Sequence, residues 1–305
     1  MNKKSMSFKL IDAVLILMMI VPLACAMAIQ VMTKPAADGV AIEGARIFFT
    51  IPMPIQDLPI TESQVNTWLI MISLFFLCLY LTHGLTEKCE SRRQAFAEWI
   101  VEKTDELVNE NMGEYFKSFS PFVCGILALS AFSSLSSMLG IFPPTSDINV
   151  VAGWAVIVFI LITYYKLKGG VFNYLKSFTQ PVPVLTPFNI ISEFATPVSM
   201  SFRHYGNVLS GTVISALVAT GLQGLSHLLL SWIPGKLGEF PLFQIGIPAV
   251  LSLYFDIFSG CMQAFIFAML TMLYVAGAFP VEEWQKRMEK KKNRKKKTAQ
   301  YETVK

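Results

Sequence analysis

Apolar runs separated by short polar segments make up most of this chain. Four of these runs cover residues 10–30 and about 65–82, 121–141 and 150–165. Each is close to the ~20 residues that an α-helix needs to cross the hydrocarbon core of a bilayer. The pattern therefore predicts an all-α integral membrane protein with one helix in each run.

The next apolar run is too long for an upright membrane helix. It extends from Pro187, which follows a suitable capping residue in Thr186, to Ile233. At ~1.5 Å per residue, a helix of this length reaches about twice the thickness of a hydrocarbon core. Two short spans joined at TGLQG (220–224) are the alternative, but this segment contains no Pro, Asn or Asp to make the turn. We therefore expect one long, strongly tilted helix.

A second long apolar run follows after the turn-forming sequence PGKLGEFP. It covers about residues 240–279. Because the two runs are joined by a short segment rich in Gly and Pro, they are expected to form a hairpin of two long tilted helices over 187–279. The predicted fold thus has about six membrane segments.

The charged segments indicate which side of the membrane each loop occupies. Lys and Arg near the ends of spans favour the cytoplasmic side. This rule places residues 1–9, 83–118, 166–176 and the basic tail 281–305 inside, in agreement with six crossings. Both termini are then cytoplasmic if the N-terminal hydrophobic segment, residues 1–30, is retained as an anchor and is not removed as a signal peptide.

Two polar segments have a predicted location of their own. Residues 31–64 contain four prolines and a slight excess of acid, and they are assigned to an extracytoplasmic loop. In the segment 83–118, Phe96, Trp99, Ile100 and Leu107 recur at helical spacing among charged residues, which predicts an amphipathic helix on the cytoplasmic membrane surface.

Composition agrees with this picture and adds little to it. The chain of 305 residues is 53% hydrophobic and 15% charged, with a formal net charge of +4. Its five cysteines have no CxxC spacing, so they indicate no metal site and no disulfide framework. The basic tail is interpreted as a topology and surface-charge feature that meets membrane lipids, and no nucleic-acid partner is expected.

Few ionisable residues interrupt the two long apolar runs. A charged side chain at the centre of a membrane helix costs about 2.5–3.5 kcal/mol on insertion scales, so each requires a partner or a function. On the first helix the polar and small residues share one side, as do those on the second helix. The ionisable residues are Glu193, Arg203, His204, His227 and Asp256. The stripe on the first helix consists of Ser199, Arg203, Gly206, Asn207, Ser210 and Gly211. The stripe on the second helix consists of Ser252, Asp256, Ser259 and Gln263.

Arg203 is the residue in these stripes that close packing of membrane helices does not explain. Small residues and amides are common where membrane helices pack closely, and this accounts for Asn207, Ser210 and Gly211. An arginine cannot be neutralised by losing its proton, so it needs a carboxylate or water. Asp256 is one candidate, as a buried ion pair within the chain. The other is an acid on a moving partner.

Three motifs resemble subunit a of the F-type rotary ATP synthase in their order and spacing. They are PTSDINV (144–150), PVSMSFRHYGNVLSG (197–211) and MQAFIFAMLTMLYVAGA (262–278), and FTIPMPIQDLPITESQVNTW (49–68) is similar to the segment before that family's first shared span. The resemblance covers about residues 48–280.

The resemblance implies a function for the membrane domain, residues 65–280. It implies a stator with two aqueous half-channels, held against a rotating ring of c subunits and joined to a b-subunit peripheral stalk. The essential arginine of the R-x-x-G-N pattern falls on Arg203. The residues implied in ion translocation are Arg203, Asn207, Glu193, Asp256 and Gln263, and those implied in contact with the ring are Ser199, Gly206, Ser210 and Gly211.

The resemblance also implies what the chain lacks. It implies a non-catalytic subunit without cofactor or metal in a bacterial plasma membrane, and the sequence has no GxxxxGK[ST] motif for ATP. The chain departs from the family where His204 and Tyr205 replace a common Leu and Phe, and where Thr212 stands at a position often acidic.

Three other classes of protein remain to be compared. The main alternative is a secondary transporter with a midplane substrate site, although no internal repeat is visible. An intramembrane hydrolase and an inert scaffold are the others. The chain lacks the HExxH motif of such hydrolases, and a role as an inert scaffold does not explain Arg203.

Overall fold

Long helices dominate the structure, which is a computed structural model that describes residues 3–33, 44–54, 56–87, 91–179, 182–230 and 246–289. Within these residues, six helical segments are long and apolar enough to cross a membrane, which confirms the predicted all-α membrane fold. They are Phe8–Thr33, Glu62–Thr82, Glu114–Leu139, Ile148–Lys168, Pro183–Leu230 and Leu253–Ala278.

The individual helices have well-defined bounds. They are α1 Lys3–Thr33, α2 Glu62–Thr82, α3 Arg92–Met112, α4 Ser120–Leu135, α5 Ile148–Lys168, α6 Val171–Ser177, α7 Thr186–Leu230, α8 Ile247–Ser252 and α9 Gly260–Ala278. A π-helix, Leu253–Ser259, joins α8 to α9. A further helical segment covers residues 281–289.

The long helix α7 is continuous over 45 residues, so the alternative of a turn at 220–224 is wrong. At 1.5 Å per residue it is ~68 Å long, about twice the hydrocarbon core. It continues through Pro197, whose ring removes one helix hydrogen bond without ending the helix. The expected hairpin turn at 234–239 lies outside the described residues, as does the basic tail from residue 290 onward.

The core of the molecule is formed by α4, α5 and α9, with α3 across one end. Val123 of α4, Val158 of α5 and Ala268 and Met272 of α9 are almost completely buried there. Helix α7 packs along α5 and also contacts α9. One side of α7 is thereby fixed to the bundle, and the opposite side stays on the surface of the chain.

The N-terminal helix α1 lies against α2 at the edge of the bundle. Ser73 donates a hydrogen bond of 2.6 Å to the carbonyl of Met19. Near one end of the pair, Asp12 Oδ1 lies 2.9 Å from Arg93 Nη1 and 3.0 Å from His83 Nδ1. These contacts attach α1 to both α2 and the first turn of α3.

A small β-hairpin precedes α2, within the segment that was predicted to be an extracytoplasmic loop. Strand β1, Ile47–Ile51, pairs antiparallel with β2, Leu58–Thr61. The chain passes directly from β2 into α2, where the backbone N–H of Thr61 donates to Gln64 Oε1 at 3.3 Å. The amphipathic helix predicted within 83–118 is present as α3, with Phe96 and Trp99 stacked on its exposed side.

Candidate functional site

Arg203 lies on the exposed side of α7, close to the middle of the helix. Among the described residues, no hydrogen bond or ion pair involves its guanidinium, and none joins it to Asp256. The structure therefore does not support the interpretation of Arg203 and Asp256 as an internal ion pair. The cation is held on the surface of the long helix without an acid from the described part of its own chain.

The residues predicted to share a side with Arg203 do form a surface strip. Ser199, Asn207 and Ser210 are exposed and Gly206 is partly exposed. Because these side chains are short, they leave a shallow, polar surface along about three turns of α7 around the arginine. A neighbouring helix can approach such a surface closely.

Gly211, at the end of this strip, is buried against the other arm of the hairpin. A Cβ placed on it would lie 3.1–3.3 Å from the Phe255 side chain. This packing gives a reason for glycine that is independent of any partner. Its contact with a ring of c subunits stays a prediction.

Asn207 and Gln263 connect the two arms. Asn207 Nδ2 lies 3.4 Å from Gln263 Oε1, and Gln263 is only 2% exposed. Amide hydrogen bonds of this kind hold membrane helices together. Two residues predicted from separate motifs are thus brought together, one turn from Arg203.

Asp256 lies in the π-helix and faces a different environment from Gln263. A π-helix has wider turns than an α-helix, so residues on either side of it no longer keep one stripe. Asp256 and Ser259 line a small cavity of about 30 Å³ with Thr212 and Ser134. The predicted single stripe on the second arm is therefore divided between this cavity and the contact with Asn207.

Glu193 is paired with a residue that the sequence analysis did not assign. Its Oε2 atom lies 2.5 Å from Lys166 Nζ at the end of α5. Its other oxygen, Oε1, is buried and has no hydrogen-bond partner among the described residues. Glu193 lies three turns before Arg203 on α7 and is far less exposed than the arginine.

Two cavities meet beside this ion pair. The first, about 260 Å³, is lined by Glu193, Ser192 and Thr196 of α7 and by Tyr274 of α9. The second, about 360 Å³, is lined by residues of α6 and of the segment after α9. The residues common to both are Lys166, Gly277 and Ala278. The two cavities, which share these three lining residues between Glu193 and α6, are together called the crevice.

The surroundings of Tyr174, on α6, show the polar character of the second cavity. Burial, with the negative charge of Glu193 adding to it, raises the pKa of this phenol. Asn173 next to it donates a hydrogen bond of 2.7 Å to Glu283. This end of the crevice thus presents neutral and charged polar groups side by side.

His204 faces the core, whereas its neighbour Arg203 faces the surface. It is 0% exposed, with its ring against Trp154 and Phe267 and Nε2 3.4 Å from Ser130 Oγ. Its Nδ1 atom is buried without a partner among the described residues. Consecutive residues of a helix point in directions ~100° apart, so anchoring His204 in the core fixes Arg203 toward the surface.

Sequence reasoning missed Lys166 as a site residue, although a signal was present. An acid inside a membrane helix needs a nearby cation, and YYKLKGG supplies two lysines at the end of the preceding span. It also missed the core position of His204, for which periodicity alone gave no indication. The structure brings together Asn207 with Gln263 and Gly211 with the Asp256 region, whereas Glu193 is at a separate place on α7.

Comparison with known proteins agrees with the motifs. Residues 64–276 match the family model described as ATP synthase A chain. The chain is 28% identical over 279 residues to "ATP synthase subunit a, sodium ion specific" of Propionigenium modestum, covering 80% of this chain and 88% of that protein. It is 30% identical to ATP synthase subunit a of Legionella pneumophila strain Philadelphia 1, covering 74% and 90% of the two chains.

A third relative has the same name. ATP synthase subunit a of Bacillus pumilus is 31% identical over 235 residues, which are 72% of this chain and 93% of that protein. The family match covers most of the chain and includes all the helices that carry the site. This multi-pass membrane protein therefore belongs to the ATP synthase subunit a family.

Proposed function

We propose that this chain is the stator subunit that couples ion flow across the membrane to rotation of a ring of c subunits, with Arg203 as the essential charge. The observation that carries this proposal is the surface position of Arg203 without an acid from the described part of the chain. Arg203 is the single Lys or Arg in the described helical segments 186–230 and 246–278. A permanent cation at this place suits a counter-ion that arrives on a partner and leaves with it.

The electrostatics of a membrane explain how such a cation works. A carboxylate on the ring crosses lipid only when it is neutral, because the ionised form is strongly disfavoured there. Opposite Arg203 the ionised form is favoured, so the ion carried by the ring is released. Arginine keeps its charge throughout, and it therefore blocks direct passage of protons along the stator.

The remaining site residues have roles that follow from their positions. Ser199, Gly206 and Ser210 are proposed to let the ring helices pass close to α7, whereas Gly211 is already packed against Phe255. Asn207 and Gln263 are proposed to fix the second arm beside Arg203. Glu193, in the crevice near α6, and Asp256, in the small cavity, are proposed as residues of two separate half-channels.

The surroundings of the chain follow from the same proposal. Its partners are the c-subunit ring, the b-subunit peripheral stalk, the rest of the ATP synthase and membrane lipids. The positions of Lys and Arg support cytoplasmic termini if the N-terminal segment is retained, and the bacterial relatives support a bacterial plasma membrane location. Because one relative is named sodium ion specific, both protons and sodium ions must be assayed.

The test is ATP-driven ion uptake by inverted vesicles that contain the whole complex. Arg203→Ala is expected to abolish uptake and to leave the c-subunit ring co-purifying with the chain. The matched control is Arg92→Ala, which removes the same charge from the exposed surface of α3 and is expected to pump normally. Undiminished uptake by Arg203→Ala, or absence of a c-subunit ring from the purified complex, contradicts the proposal.

A further inference from the structure

The contact between Lys166 and Glu193 satisfies only half of the carboxylate. Lys166 Nζ lies 2.5 Å from Oε2, while Oε1 is buried and has no partner among the described residues. The side chain of Glu193 is 11% exposed and that of Lys166 is 28% exposed. A purely structural pair in a membrane helix bundle is better made by arginine, whose two parallel N–H groups bind both oxygens. Lysine, a point charge, binds one oxygen and leaves the other without a hydrogen bond.

Glu193 lines the first cavity, and its partner Lys166 lies where the two cavities share lining residues. Lys166 lines both of them, together with Gly277 and Ala278. At Gly277, a Cβ would meet nothing within 4 Å, so space remains open at the junction. A crevice of this size, with polar groups on its walls, is able to hold several waters.

The backbone of α7 adds a further polar group at the same place. Pro197 has no N–H, so the helix hydrogen bond that would end on the carbonyl of Glu193 cannot form. In a membrane helix, such a freed carbonyl requires a neighbouring side chain or water. The carbonyl and Oε1 of Glu193 are therefore two buried acceptors that an ordered water at the wall of the first cavity would satisfy.

We propose that Lys166 is a positioning residue that holds the carboxylate of Glu193 at the wall of the first cavity, where this carboxylate exchanges the transported ion with water of the crevice. This inference rests on the proposed function and extends it to a residue on α5. Lys166 thus contributes to the ion path on the α6 side by orienting Glu193. It is distinct from Lys168, whose ammonium lies over the rings of Tyr164 and Tyr165.

The experiment compares ion uptake by inverted vesicles carrying the whole complex, over a range of pH. Lys166→Met is expected to reduce ATP-driven uptake about tenfold and to shift its pH profile, since interacting residues couple on this scale. The control Lys168→Met, two residues along the same helix, is expected to leave both rate and profile unchanged. Should the methionine variant fail to assemble with the c-subunit ring, Lys166→Gln, which keeps a neutral donor, provides the same comparison.

A double variant separates positioning from stability. If Lys166 acts through Glu193, Lys166→Met combined with Glu193→Gln pumps no more slowly than Glu193→Gln alone. Losses that multiply in the double variant, or a Lys166→Met profile identical to that of Lys168→Met, overturn the inference. The proposed function is judged separately by Arg203→Ala, because loss of pumping there with normal pumping in Lys166→Met contradicts the role of Lys166 alone.

Discussion

Asn207 Nδ2 lies 3.4 Å from Gln263 Oε1, and this hydrogen bond joins the two arms of the hairpin one turn beyond Arg203. Asn207 is exposed and Gln263 is buried, so the contact runs from the surface strip into the core. The amide pair therefore links the position of the arginine to that of the second arm.

Removing this link is expected to affect ion transport more than stability. Gln263→Ala removes one hydrogen bond between membrane helices, which is worth about 0.6 kcal/mol on average. We expect a small fall in the melting temperature of the purified complex and a severalfold loss of ATP-driven ion uptake. The exposed neighbour Met262→Ala is the control. Equal uptake in these two variants contradicts the linking role.

Two glycines on the same helix are expected to respond oppositely to alanine. Gly211→Ala places a Cβ 3.1 Å from the Phe255 ring, and overpacking of this kind costs about 1–3 kcal/mol. At Gly206 a Cβ meets nothing within 4 Å, so Gly206→Ala should stabilise α7 by about 1 kcal/mol. Thermal unfolding in detergent measures both.

If Phe255→Leu restores part of the stability that Gly211→Ala loses, the Phe255 ring is the cause of that loss. If Gly206→Ala keeps its stability but pumps poorly, its surface meets a partner. A destabilised Gly206→Ala contradicts the open space found around it.

Replacement of the buried histidine is expected to stabilise the chain. His204→Leu removes a ring nitrogen that is buried without a partner among the described residues, and leaving such a group unpaired costs about 1–3 kcal/mol. Its Nε2 contact with Ser130 is long, at 3.4 Å, so little is lost with it. We therefore expect a higher melting temperature and retained pumping.

Ser130→Ala provides the comparison for this variant, because it removes the long contact and keeps the histidine. A strong loss of stability in His204→Leu with none in Ser130→Ala indicates that the ring nitrogen is satisfied in the assembled complex.

The attachment of the N-terminal helix is expected to depend on one carboxylate. Asp12→Asn removes the acceptor charge shared by Arg93 and His83, both partly exposed, so a cost of about 1 kcal/mol is expected. The exposed Asp57→Asn is the control. Thermal unfolding and cross-linking between α1 and α2 report the change, and identical behaviour of the two variants contradicts the role of Asp12.

Much of the fold follows from segment length and apolar composition. The six membrane helices were predictable because each run is close to or longer than the ~20 residues that cross a bilayer, and α7 was predictable as one helix because 220–224 contains no Pro, Asn or Asp. The β-hairpin was not predictable from its segment, in which three prolines obscure the alternation of strands. Membrane position and hairpin tilt stay predictions.

The candidate site was predictable where a motif gave it and less so where packing decides. Asn207 and Gln263 were named from separate motifs, and their contact was found only in three dimensions. The pairing of Glu193 with Lys166 depends on how α5 and α7 pack over 27 residues of separation, which spacing alone does not indicate. The functional roles of these residues await the experiments above.

The π-helix at Leu253–Ser259 sets the rotation of α9 about its axis relative to α8. If these seven residues formed a regular α-helix without a change in length, each would turn further about the axis, and everything beyond would turn by roughly 100° relative to α8. Gln263 would then face away from Asn207 although neither side chain had changed. The wide turns of residues 253–259, and not any side chain of α9, therefore determine that Gln263 faces Asn207.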